Sequence, residues 1–390
     1  MEKESISIAV LRKTPSLEND DRLRKEYASL MKLYPGIKVK AFVMLKDNRE
    51  YESVTSYGLP FRSVGLKSRD ELSHGSHLIK KSWDYYQAIK NDLKAYDIVW
   101  NSGDEPTPAL LFIHHKTLFW DLRELPMFLL DSKWKKMVLK HLFNKCTVMI
   151  HANQYRIGYL KSKGLIRDAK KHLVVRNFPE FSTVDPEYDA RYHEVKEWIG
   201  NRTCVYLQGL SNESRAAYES LSAVLRVPGL CAIVLGTVSD SARKRVTDEY
   251  GEKTVEERIC FAGNFKVLKV PQYLALCHLS LVFYKNTTPN NYYCEANRLY
   301  QAIDAGLPVV VGSNPSMKGI VEELGVGLSV DTDGSNVPLI EQGIRLLLDK
   351  RDSFVDNIKH LHDEIKWESQ EPSLKQAVDI LIKHTQKKNG

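Results

Sequence analysis

The segment ANRLYQAIDAGLPVVVG, residues 296–312, combines two patterns that decide the fold. Its second half, LPVVVG, is a short β-branched apolar run closed by glycine, which is typical of a buried parallel strand. The preceding AIDAG predicts the end of a helix, with Gly306 as its C-terminal cap. The helix begins with charged and amide side chains, and a helix N-terminus attracts anions. The segment therefore predicts a helix–strand unit whose polar end can hold a phosphate.

The same alternation of strand and helix patterns extends along most of the chain. Strand patterns such as SISIAVL, KVKAFVML, YDIVWN and TVMIHA alternate with helical patterns in the first half, and TCVYLQG, LCAIVLG and LSLVFY do so in the second. Such alternation predicts an α/β protein with two Rossmann-like, doubly wound domains of similar size. Two such domains facing one another would form a cleft at the carboxyl ends of their strands, where open α/β sheets bind ligands.

The domain boundaries follow from a break in this pattern. Near Asn177–Glu194, prolines and acidic residues replace any clean period, which indicates a linker. We therefore predict an N-terminal domain over residues 1–180, a linker over 181–200 and a C-terminal domain over 201–365. A helix over residues 366–390 is predicted to pack back on the N-terminal domain. A length of 390 residues suits two domains.

Composition restricts the class of protein. With 43% hydrophobic and 27% charged residues, the chain resembles an ordinary soluble protein. No apolar run approaches the ~20 residues of a membrane span, and the start, MEKESISIAVLRK, predicts a first strand rather than a signal peptide. The six cysteines are scattered without a CxxC pair. This argues for a reduced, cytoplasmic protein whose cysteines lie mostly in the core, and against disulfides or a zinc site.

The net charge of +7 is unevenly distributed. Residues 1–180 contain 32 Lys and Arg against 21 Asp and Glu, so the remainder of the chain is mildly acidic. Only the first half is therefore expected to face an anionic partner, such as a membrane surface, a nucleic acid or an anionic substrate.

Two helix starts in the C-terminal half are candidate phosphate sites. The stretch GLSNESRAAYESL places Gly209 at the end of a strand and Arg215 at the start of the following helix. In the opening segment, Asn297 and Arg298 precede Gln301 by about one helical turn, so these side chains share a face. Backbone N–H groups and a guanidinium would together bind a diphosphate, and Gln301 could bond a ribose hydroxyl. The alternative is that these are ordinary solvated helix residues.

Residues 296–331 are similar to the donor-site segment of retaining glycosyltransferases of the GT-B type, in particular family-4-like bacterial enzymes, many of which build surface polysaccharides. The family pattern is roughly P-N-K-L-x-E-Y-x-A-x-G-x-P-V-V. In the same order, YLQGLSNESR resembles the strand, glycine turn and phosphate-binding Arg of the family. ICFAGNF resembles the segment near the nucleotide base, and LALCHLSLVFY the A-D-V-x-L-x-P-Y strand. In the N-terminal half, NDDRLRKEYASL, FWDLRELP and VVRNFPEF resemble further family segments.

The resemblance implies transfer of a sugar, with retention, from a nucleotide sugar of the UDP or GDP type to a glycan or lipid-linked acceptor. The C-terminal domain would hold the donor and the N-terminal domain the acceptor. The implied donor-binding residues are Gly209, Arg215, Gly263, Asn264, Tyr284, Glu295, Asn297, Arg298, Leu299 and Gln301. No cofactor and no metal are implied, since there is no convincing D-x-D motif. The charge of the departing diphosphate would fall to Arg215, Arg298 and helix dipoles.

The chain departs from the family pattern in the donor segment. Gln301 stands where relatives often have Glu, and would bond a ribose as a neutral group. The related signature of two glutamates eight positions apart is replaced by Tyr293 and Gln301. Glu295 is then the nearest carboxylate, either a contact to the donor sugar or a first-turn acid favoured by the helix dipole.

The acceptor side departs from the pattern as well. Many relatives have a His-Glu-Pro segment, whereas SGDEPTPA places Asp104 and Glu105 there. Together with Glu124, these carboxylates are candidates to orient the acceptor hydroxyl, and we count them among the catalytic candidates with the two arginines. For Glu124 the alternative is a turn acid paired with a neighbouring Arg or Lys.

The basic helix SKWKKMVLKHLFNK places Trp134, Met137, Val138, His141 and Leu142 near one face. Such a helix can lie on an anionic membrane, which would put the protein at the inner face of the plasma membrane, or it can be a core-packing helix with a solvated basic face. Two other functions remain open, a nucleotide-sugar epimerase of the same fold and a non-catalytic nucleotide-sugar-binding homologue. Nucleic-acid binding is disfavoured because aromatic residues are not interleaved with the basic ones.

Overall fold

The computed structural model describes residues 6–72, 77–103, 106–115, 117–167, 171–180, 190–265, 269–361 and 364–389. The chain forms two compact units. The first contains the residues up to Asn177 together with those from Gln370 onward, and the second runs from Phe178 to Ser369. Within the described ranges, no helix is long and apolar enough to cross a bilayer.

The first unit is built on an eight-stranded sheet with the order β3-β4-β2-β1-β5-β6-β7-β8. Its strands are β1 (Ser7–Lys13), β2 (Lys38–Met44), β3 (Tyr51–Val54), β4 (Pro60–Ser63), β5 (Ile98–Ser102), β6 (Leu118–Leu122), β7 (Val148–His151) and β8 (His172–Val174). All neighbours pair in parallel except β3, which runs antiparallel to β4 at the sheet edge. Strand β1 lies between β2 and β5, so the strand order reverses there.

Helices cover both faces of this sheet, as expected for a buried parallel sheet. They are α1 (Asp21–Leu33), α2 (Lys67–Glu71), α3 (Leu78–Ile89), α4 (Lys133–Lys145), α5 (Gln154–Ser162) and, from the end of the chain, α16 (Glu371–Asn389). Short 3-10 turns cover Asp92–Ala95, Thr107–Leu111 and Met127–Leu129. Residues 107–115, TPALLFIHH, have an apolar run that favours a helix, but only the second of these turns forms there.

The last helix, α16, is part of the first unit. The Glu371 carboxylate accepts hydrogen bonds from Ser29 Oγ at 3.1 Å and from Lys32 Nζ at 2.8 Å, both on α1. Farther along α16, Thr385 Oγ1 lies 3.0 Å from Thr117 Oγ1, just before β6. The C-terminal helix therefore belongs to the N-terminal unit.

The second unit is built on a six-stranded, fully parallel sheet with the order β11-β10-β9-β12-β13-β14. Its strands are β9 (Thr203–Gln208), β10 (Leu230–Leu235), β11 (Ile259–Gly263), β12 (Leu279–Val282), β13 (Val309–Val311) and β14 (Gly327–Ser329). Strand β13 is the VVV of the opening segment and is fully buried, which confirms its assignment as a parallel core strand.

The helices of the second unit follow the same alternation. They are α6 (Ala190–Ile199), α7 (Ala217–Arg226), α8 (Asp240–Tyr250), α9 (Glu252–Arg258), α10 (Val270–Leu274), α11 (Pro289–Tyr292), α12 (Asn297–Asp304), α13 (Pro315–Leu324), α14 (Val337–Asp349) and α15 (Arg351–His360). A 3-10 turn covers Glu213–Arg215 between β9 and α7, and another covers Trp367–Gln370.

The predicted linker over residues 181–200 differs from the structure in its second half. Residues 190–199 form α6, and Tyr192, Val195 and Ile199 are buried in the core of the second unit. The Tyr192 ring meets that of Tyr273 edge-on at 6.1 Å between centroids. A helix forms here because its apolar residues, at helical spacing, pack into the core, although the surrounding sequence is acidic and rich in proline. Residues 181–189 lie outside the described residues.

Candidate functional site

The order of the second sheet defines where a ligand is expected. Strand β9 lies between β10 and β12, so the chain winds outward from β9 in two directions. At such a switch point the loops beyond the carboxyl ends of the strands diverge and leave room for a ligand. The loops after β9, β10, β11 and β12 therefore form the candidate site.

Three glycines line the carboxyl ends of adjacent strands at this edge. Gly209 follows β9, Gly236 follows β10 and Gly263 ends β11, and all three have positive φ. Gly209 N–H donates to the carbonyl of Leu235, and Gly236 N–H donates to that of Gly263, both at 2.7 Å. A β-carbon on Gly236 would lie 3.4 Å from the Gly209 Cα. The edge is thus bare backbone, which lets a ligand approach closely.

Arg298 enters this edge from the first turn of α12. Its side chain is only 6% exposed. Nη1 donates to the carbonyl of Gln208, the last residue of β9, at 2.5 Å, and Nη2 donates to the carbonyl of Phe283, just after β12, at 2.8 Å. The ladder between these strands covers only Leu279 and Ser280. Arg298 therefore joins the two strands beyond the point where their own pairing ends.

Arg215 lies at the same edge. It ends the 3-10 turn before α7 and donates from Nη1 to the carbonyl of Gly209 at 2.6 Å. Its guanidinium carbon lies 5.7 Å from the centre of the Tyr284 ring, and that of Arg298 lies 4.9 Å from it. The two predicted phosphate-binding arginines, 83 positions apart in sequence, therefore meet at one ring.

The charge at this edge is uncompensated. Among the described residues, neither Arg215 nor Arg298 has a carboxylate within ion-pair distance. Burial lowers the pKa of Arg298, and the positive charge of Arg215 lowers it further. The nearby Lys285, in contrast, is neutralised by Glu219 at 2.7 Å. Buried charges in proteins are normally paired, so two adjacent unpaired guanidiniums indicate a site for an external anion.

The start of α12 adds to this preference. Ala296 at its N-cap offers no side-chain acceptor, so the first N–H groups of this eight-residue helix have no side-chain cap. Asn297, in the first turn, is exposed. Glu295 accepts a hydrogen bond from the Tyr300 hydroxyl at 2.5 Å, which fixes this carboxylate on the helix that carries Arg298.

Two further predicted donor-binding residues differ in their surroundings. The Gln301 amide is half-buried, and its Oε1 atom accepts no hydrogen bond from any described residue. A buried amide oxygen with no partner in the protein is suited to a ligand hydroxyl. Leu299, in contrast, is completely buried among core residues of the second unit. Its side chain anchors α12, and a donor contact of Leu299 stays a prediction that only its backbone could fulfil.

Asn264 stands beside the row of glycines. Its Oδ1 atom lies 3.8 Å from the position that a β-carbon on Gly236 would take. Asn264 thus presents an amide at the carboxyl edge of β11, in the segment that the resemblance assigns to the nucleotide base.

The loop after β12 is held by a residue that the sequence analysis missed. Asn314, at the N-cap of α13, is completely buried. Its Nδ2 atom donates to the carbonyl of Tyr284 at 3.0 Å, to Asn286 Oδ1 at 3.1 Å and to the carbonyl of Asn291 at 3.0 Å. One amide thus fixes the segment that carries the Tyr284 ring. The only sequence signal was an Asn before Pro at a helix start.

Of the three carboxylates predicted in the first unit, Glu124 belongs to the described residues. Asp104 and Glu105 lie outside the described residues. Glu124 is exposed and follows β6.

What the first unit does contain is a buried network of three arginines and three acids, which the sequence analysis did not identify. Asp20 pairs with Arg12 and with Arg123, both at 2.6 Å, and caps α1 by accepting from Leu23 N–H. Asp121 pairs with Arg123 at 2.8 Å and with Arg22 at 2.9 Å.

The third acid, Glu26, lies 3.0 Å from Arg22 and 3.6 Å from Arg123. Burial first, and then the charge of Asp121, raise the pKa of Glu26 to about 8 in spite of both arginines. In the sequence, this network is indicated only by the spacing of Asp20, Arg22 and Glu26, which lie close together at the N-terminus of a helix.

Metal ligands are not clustered in the described ranges. No group of three or more His, Cys, Asp or Glu side chains there is arranged to hold an ion. The six cysteines are free, and Cys146, Cys204, Cys231 and Cys277 are buried, which confirms their prediction as largely core residues.

No protein-family model matches the chain, and no curated protein matches its sequence. Solved structures, in contrast, match over nearly the whole chain. A sucrose-phosphate synthase from Thermosynechococcus elongatus gives a TM-score of 0.76 at 14% identity, covering 97% of this chain and 99% of that one. Anabaena HepE in complex with UDP gives 0.69 at 13% identity, covering 96% and 100%. An α,α-trehalose 6-phosphate synthase from Burkholderia multivorans gives 0.70 at 11% identity, covering 97% and 98%.

These likenesses show that the chain has the fold of GT-B glycosyltransferases, with the two parallel-sheet units predicted from the sequence. At identities this low the agreement concerns the fold alone. Function has to be argued from the site.

Proposed function

We propose that this protein is a retaining glycosyltransferase that moves a sugar from a nucleotide sugar to a glycan or lipid-linked acceptor. The observation that carries this proposal is the pair of unpaired guanidiniums, Arg215 and Arg298, at the switch point of the second sheet. A diphosphate supplies the negative charge that this edge lacks, and its oxygens match the donor geometry of guanidinium groups.

The two arginines would act mainly on the leaving group. When the bond between the anomeric carbon and the diphosphate breaks, negative charge grows on the phosphate oxygen. Donors that are already in place stabilise this charge without reorganisation, most strongly where water is excluded. Arg298 is held by two carbonyls and Arg215 by one, so both are positioned before the donor arrives. We propose that these two arginines and the start of α12 suffice to stabilise the departing diphosphate, and that no metal and no cofactor are needed.

Other residues of the edge would define the rest of the donor. We assign the base to the Gly263–Asn264 turn, the ribose to Gln301, and the close approach of the diphosphate to Gly209. Glu295 and Asn297, at the entrance to α12, would contact the sugar or its phosphate, and the Tyr284 ring would form the wall between the two arginines. The uracil nucleotide of HepE, which has been solved with UDP and with UDP-glucose, favours a UDP-type donor here, with a GDP-type donor as the second choice.

In a retaining mechanism of this kind, the first unit needs to supply little chemistry. The departing phosphate can take the proton of the acceptor hydroxyl, so a carboxylate is needed only to orient that hydroxyl. We propose Glu124, Asp104 and Glu105 for this role. A polysaccharide precursor such as a capsule, O-antigen or exopolysaccharide intermediate is the proposed acceptor.

The proposed location is the cytoplasm, with contact to the inner face of the plasma membrane through α4. This helix packs by Leu139, Leu142 and Phe143, whereas Trp134 and Met137 are 59% and 73% exposed. Of the face named in the sequence analysis, only Leu142 is buried. An exposed Trp and Met among lysines can insert at the headgroup level of an anionic bilayer.

The direct test is donor turnover. The purified protein is incubated with UDP-glucose, UDP-galactose, UDP-N-acetylglucosamine or GDP-mannose, and the anomeric proton of the released or transferred sugar is followed by NMR. We expect slow consumption of one donor to give a first product with the anomeric configuration of that donor. Arg215→Ala should remove most of this turnover, whereas Arg345→Ala, on the exposed face of α14, should not. Full activity of Arg215→Ala, or an inverted product, would overturn the proposal.

A further inference from the structure

The first unit contains a pocket that none of the predicted residues explains. It has a volume of about 530 Å³ and opens at the carboxyl edge of the sheet. Two of its walls are the loops that follow β1 and β2, and the third is the antiparallel β3–β4 hairpin. It is lined by Pro15, Ser16, Leu17, Glu18, Leu45, Lys46, Asp47, Tyr51 and Phe61. A volume of this size suits one or two sugar rings.

The pocket has an apolar floor and one aromatic wall. Leu17, Leu45 and Phe61 are buried, and the Tyr51 side chain is 39% exposed. The Tyr51 and Phe61 rings meet edge-on, with centroids 5.9 Å apart, so the tyrosine ring packs against a buried residue. Because β3 runs antiparallel, its first residue, Tyr51, pairs with Ser63 at the carboxyl end of β4. The reversal of one edge strand thus brings an aromatic ring to the ligand-binding edge.

The rim carries a mixed set of charged groups. Glu18, Lys46 and Asp47 surround the opening, so it contains hydrogen-bond donors and acceptors of both signs and little net charge. A phosphate or a carboxylate would meet two acids and one lysine there. A polyol, whose hydroxyls both donate and accept, can satisfy all three groups at once.

The walls are fixed before any ligand binds. Both oxygens of Glu18 accept from Ser56 in the hairpin turn, Oε1 from the backbone N–H at 2.9 Å and Oε2 from the hydroxyl at 2.5 Å. The Tyr57 hydroxyl donates to the carbonyl of Leu17 at 3.2 Å.

The loop after β2 is held in the same way. Arg69 donates from Nη1 to the carbonyl of Leu45 at 2.7 Å, and Asn48 exchanges hydrogen bonds with the backbone of Leu66 at 2.9 and 3.0 Å. A pocket with ordered walls loses little conformational entropy when a ligand enters.

We propose that this pocket binds a neutral pyranose ring of a carbohydrate acceptor, with the Tyr51 ring as the platform and the rim groups bonding the hydroxyls. The assignment of this ring to an acceptor rests on the sugar-transfer function proposed above. The binding of the ring rests on the pocket alone. An apolar platform beside a few polar groups matches a sugar ring, which has one face rich in C–H groups and an equatorial belt of hydroxyls.

The test is saturation-transfer NMR on the full chain with methyl glycosides of glucose, galactose, mannose and N-acetylglucosamine, and with methyl glucuronide as the anionic comparison. We expect ring protons of at least one neutral glycoside to receive saturation, and the glucuronide to receive none. In Tyr51→Ala this signal should fall to background, and Tyr51→Phe should keep most of it. Trp83→Ala, which removes an exposed aromatic ring on α3 outside the pocket, should leave it unchanged.

Several results would overturn the inference: no saturation of any neutral glycoside, equal saturation in Tyr51→Ala, or preferential binding of the glucuronide. A thermal-shift measurement with UDP and GDP on the same samples separates this inference from the proposed function. If nucleotides bind and glycosides do not, the pocket assignment fails alone. If Tyr51-dependent glycoside binding occurs without any nucleotide response, the proposed function fails and the pocket assignment stands.

Discussion

Arg215 and Arg298 bring two positive charges to one aromatic ring, with their guanidinium carbons 5.7 and 4.9 Å from the centre of Tyr284. The repulsion between them contributes to the lowered pKa of Arg298. An arrangement of this kind costs stability in the empty protein and favours any ligand that brings negative charge.

Loss of Arg298 should reduce the stabilisation of the protein by nucleotides. A nucleotide at 100 times its dissociation constant stabilises the folded state by about 2.7 kcal/mol. Each charge-assisted hydrogen bond contributes roughly 1.5–3 kcal/mol, so Arg298→Met should weaken nucleoside diphosphate binding about tenfold or more. Thermal shift with UDP and GDP measures this, with Arg345→Met, which removes an exposed arginine paired with Glu341, as the control. An unchanged shift in Arg298→Met would show that the anion binds elsewhere.

Gly209→Ala should disturb the site through Arg215. The φ of Gly209 is +60°, and an added β-carbon would stand 2.7 Å from Arg215 Nη1, so the guanidinium has to move. Gly164→Ala is a matched control, because its φ is +66° but nothing lies within 4 Å of its β-carbon. Both variants should lose about 1 kcal/mol of stability from backbone strain. Only Gly209→Ala should also lose nucleotide affinity, and equal affinities in the two variants would contradict the role of Arg215.

Asn314→Asp should release the loop after β12. The substitution replaces a donor that serves three acceptors with a buried carboxylate facing the same oxygens. The cost should be of the order of 2–4 kcal/mol, with a higher KM for the donor because Tyr284 loses its support. Chemical denaturation and donor kinetics report the two effects. Asn336→Asp changes the same residue type at the exposed N-cap of α14, where Asp caps equally well, and should be neutral. Normal stability of Asn314→Asp would show that the hydrogen bonds of the Asn314 amide do not hold this loop.

Glu26 should make stability depend on pH in the neutral range. Its folded-state pKa of about 8 lies well above that of a glutamate in an unfolded chain, about 4.3. Between these values the folded protein holds a proton that the unfolded chain has released, so stability is greatest at the acidic end and falls as pH rises towards 8.

Glu26→Gln removes that titration while keeping the shape of the side chain. The unfolding free energy of the wild type, measured by urea denaturation, should therefore fall relative to the variant between pH 5 and pH 8, by at most about 1.4 kcal/mol per pH unit. Glu257→Gln, at the surface, should follow the wild-type profile. Parallel profiles for Glu26→Gln and the wild type would mean that Glu26 is ionised in the fold.

Contact of α4 with membranes should depend on salt and on two side chains. Trp134→Ser combined with Met137→Ser should reduce co-sedimentation with phosphatidylserine-containing vesicles at low salt several-fold, because the insertion of both apolar groups is lost. High salt should weaken the binding of the wild type as well. Leu346→Ser, which replaces an exposed apolar residue on α14, serves as the control. Absence of wild-type binding at low salt would exclude the proposed docking.

The features that sequence predicts well are those encoded locally. The VVV run of β13, the alternation of elements and the arginines near helix starts depend on neighbours within a few positions, and all are recovered in the structure. Leu299 shows the limit of a pattern carried over position by position. The start of a helix has one face towards a ligand and one towards the core. Only the packing of α12 shows that the Leu299 side chain lies on the core face.

What sequence did not reveal depends on contacts distant along the chain. The network of Asp20, Glu26 and Asp121 with its arginines joins residues about 100 positions apart, and Asn314 acts on a loop some 25 residues before it. The β3–β4 hairpin was missed because its edge strand is short and exposed on both faces, so it lacks the apolar run on which strand assignment relies.

The membership of α16 in the first unit has a consequence for the order in which the protein is made. A ribosome that has translated residue 369 has produced every residue of the second unit. The first unit still lacks the helix whose Glu371 and Thr385 contact α1 and the start of β6. The usual order of domain folding during synthesis, N-terminal first, is therefore reversed here. The second unit can be complete on the nascent chain, whereas the first unit is complete only when α16 has been made.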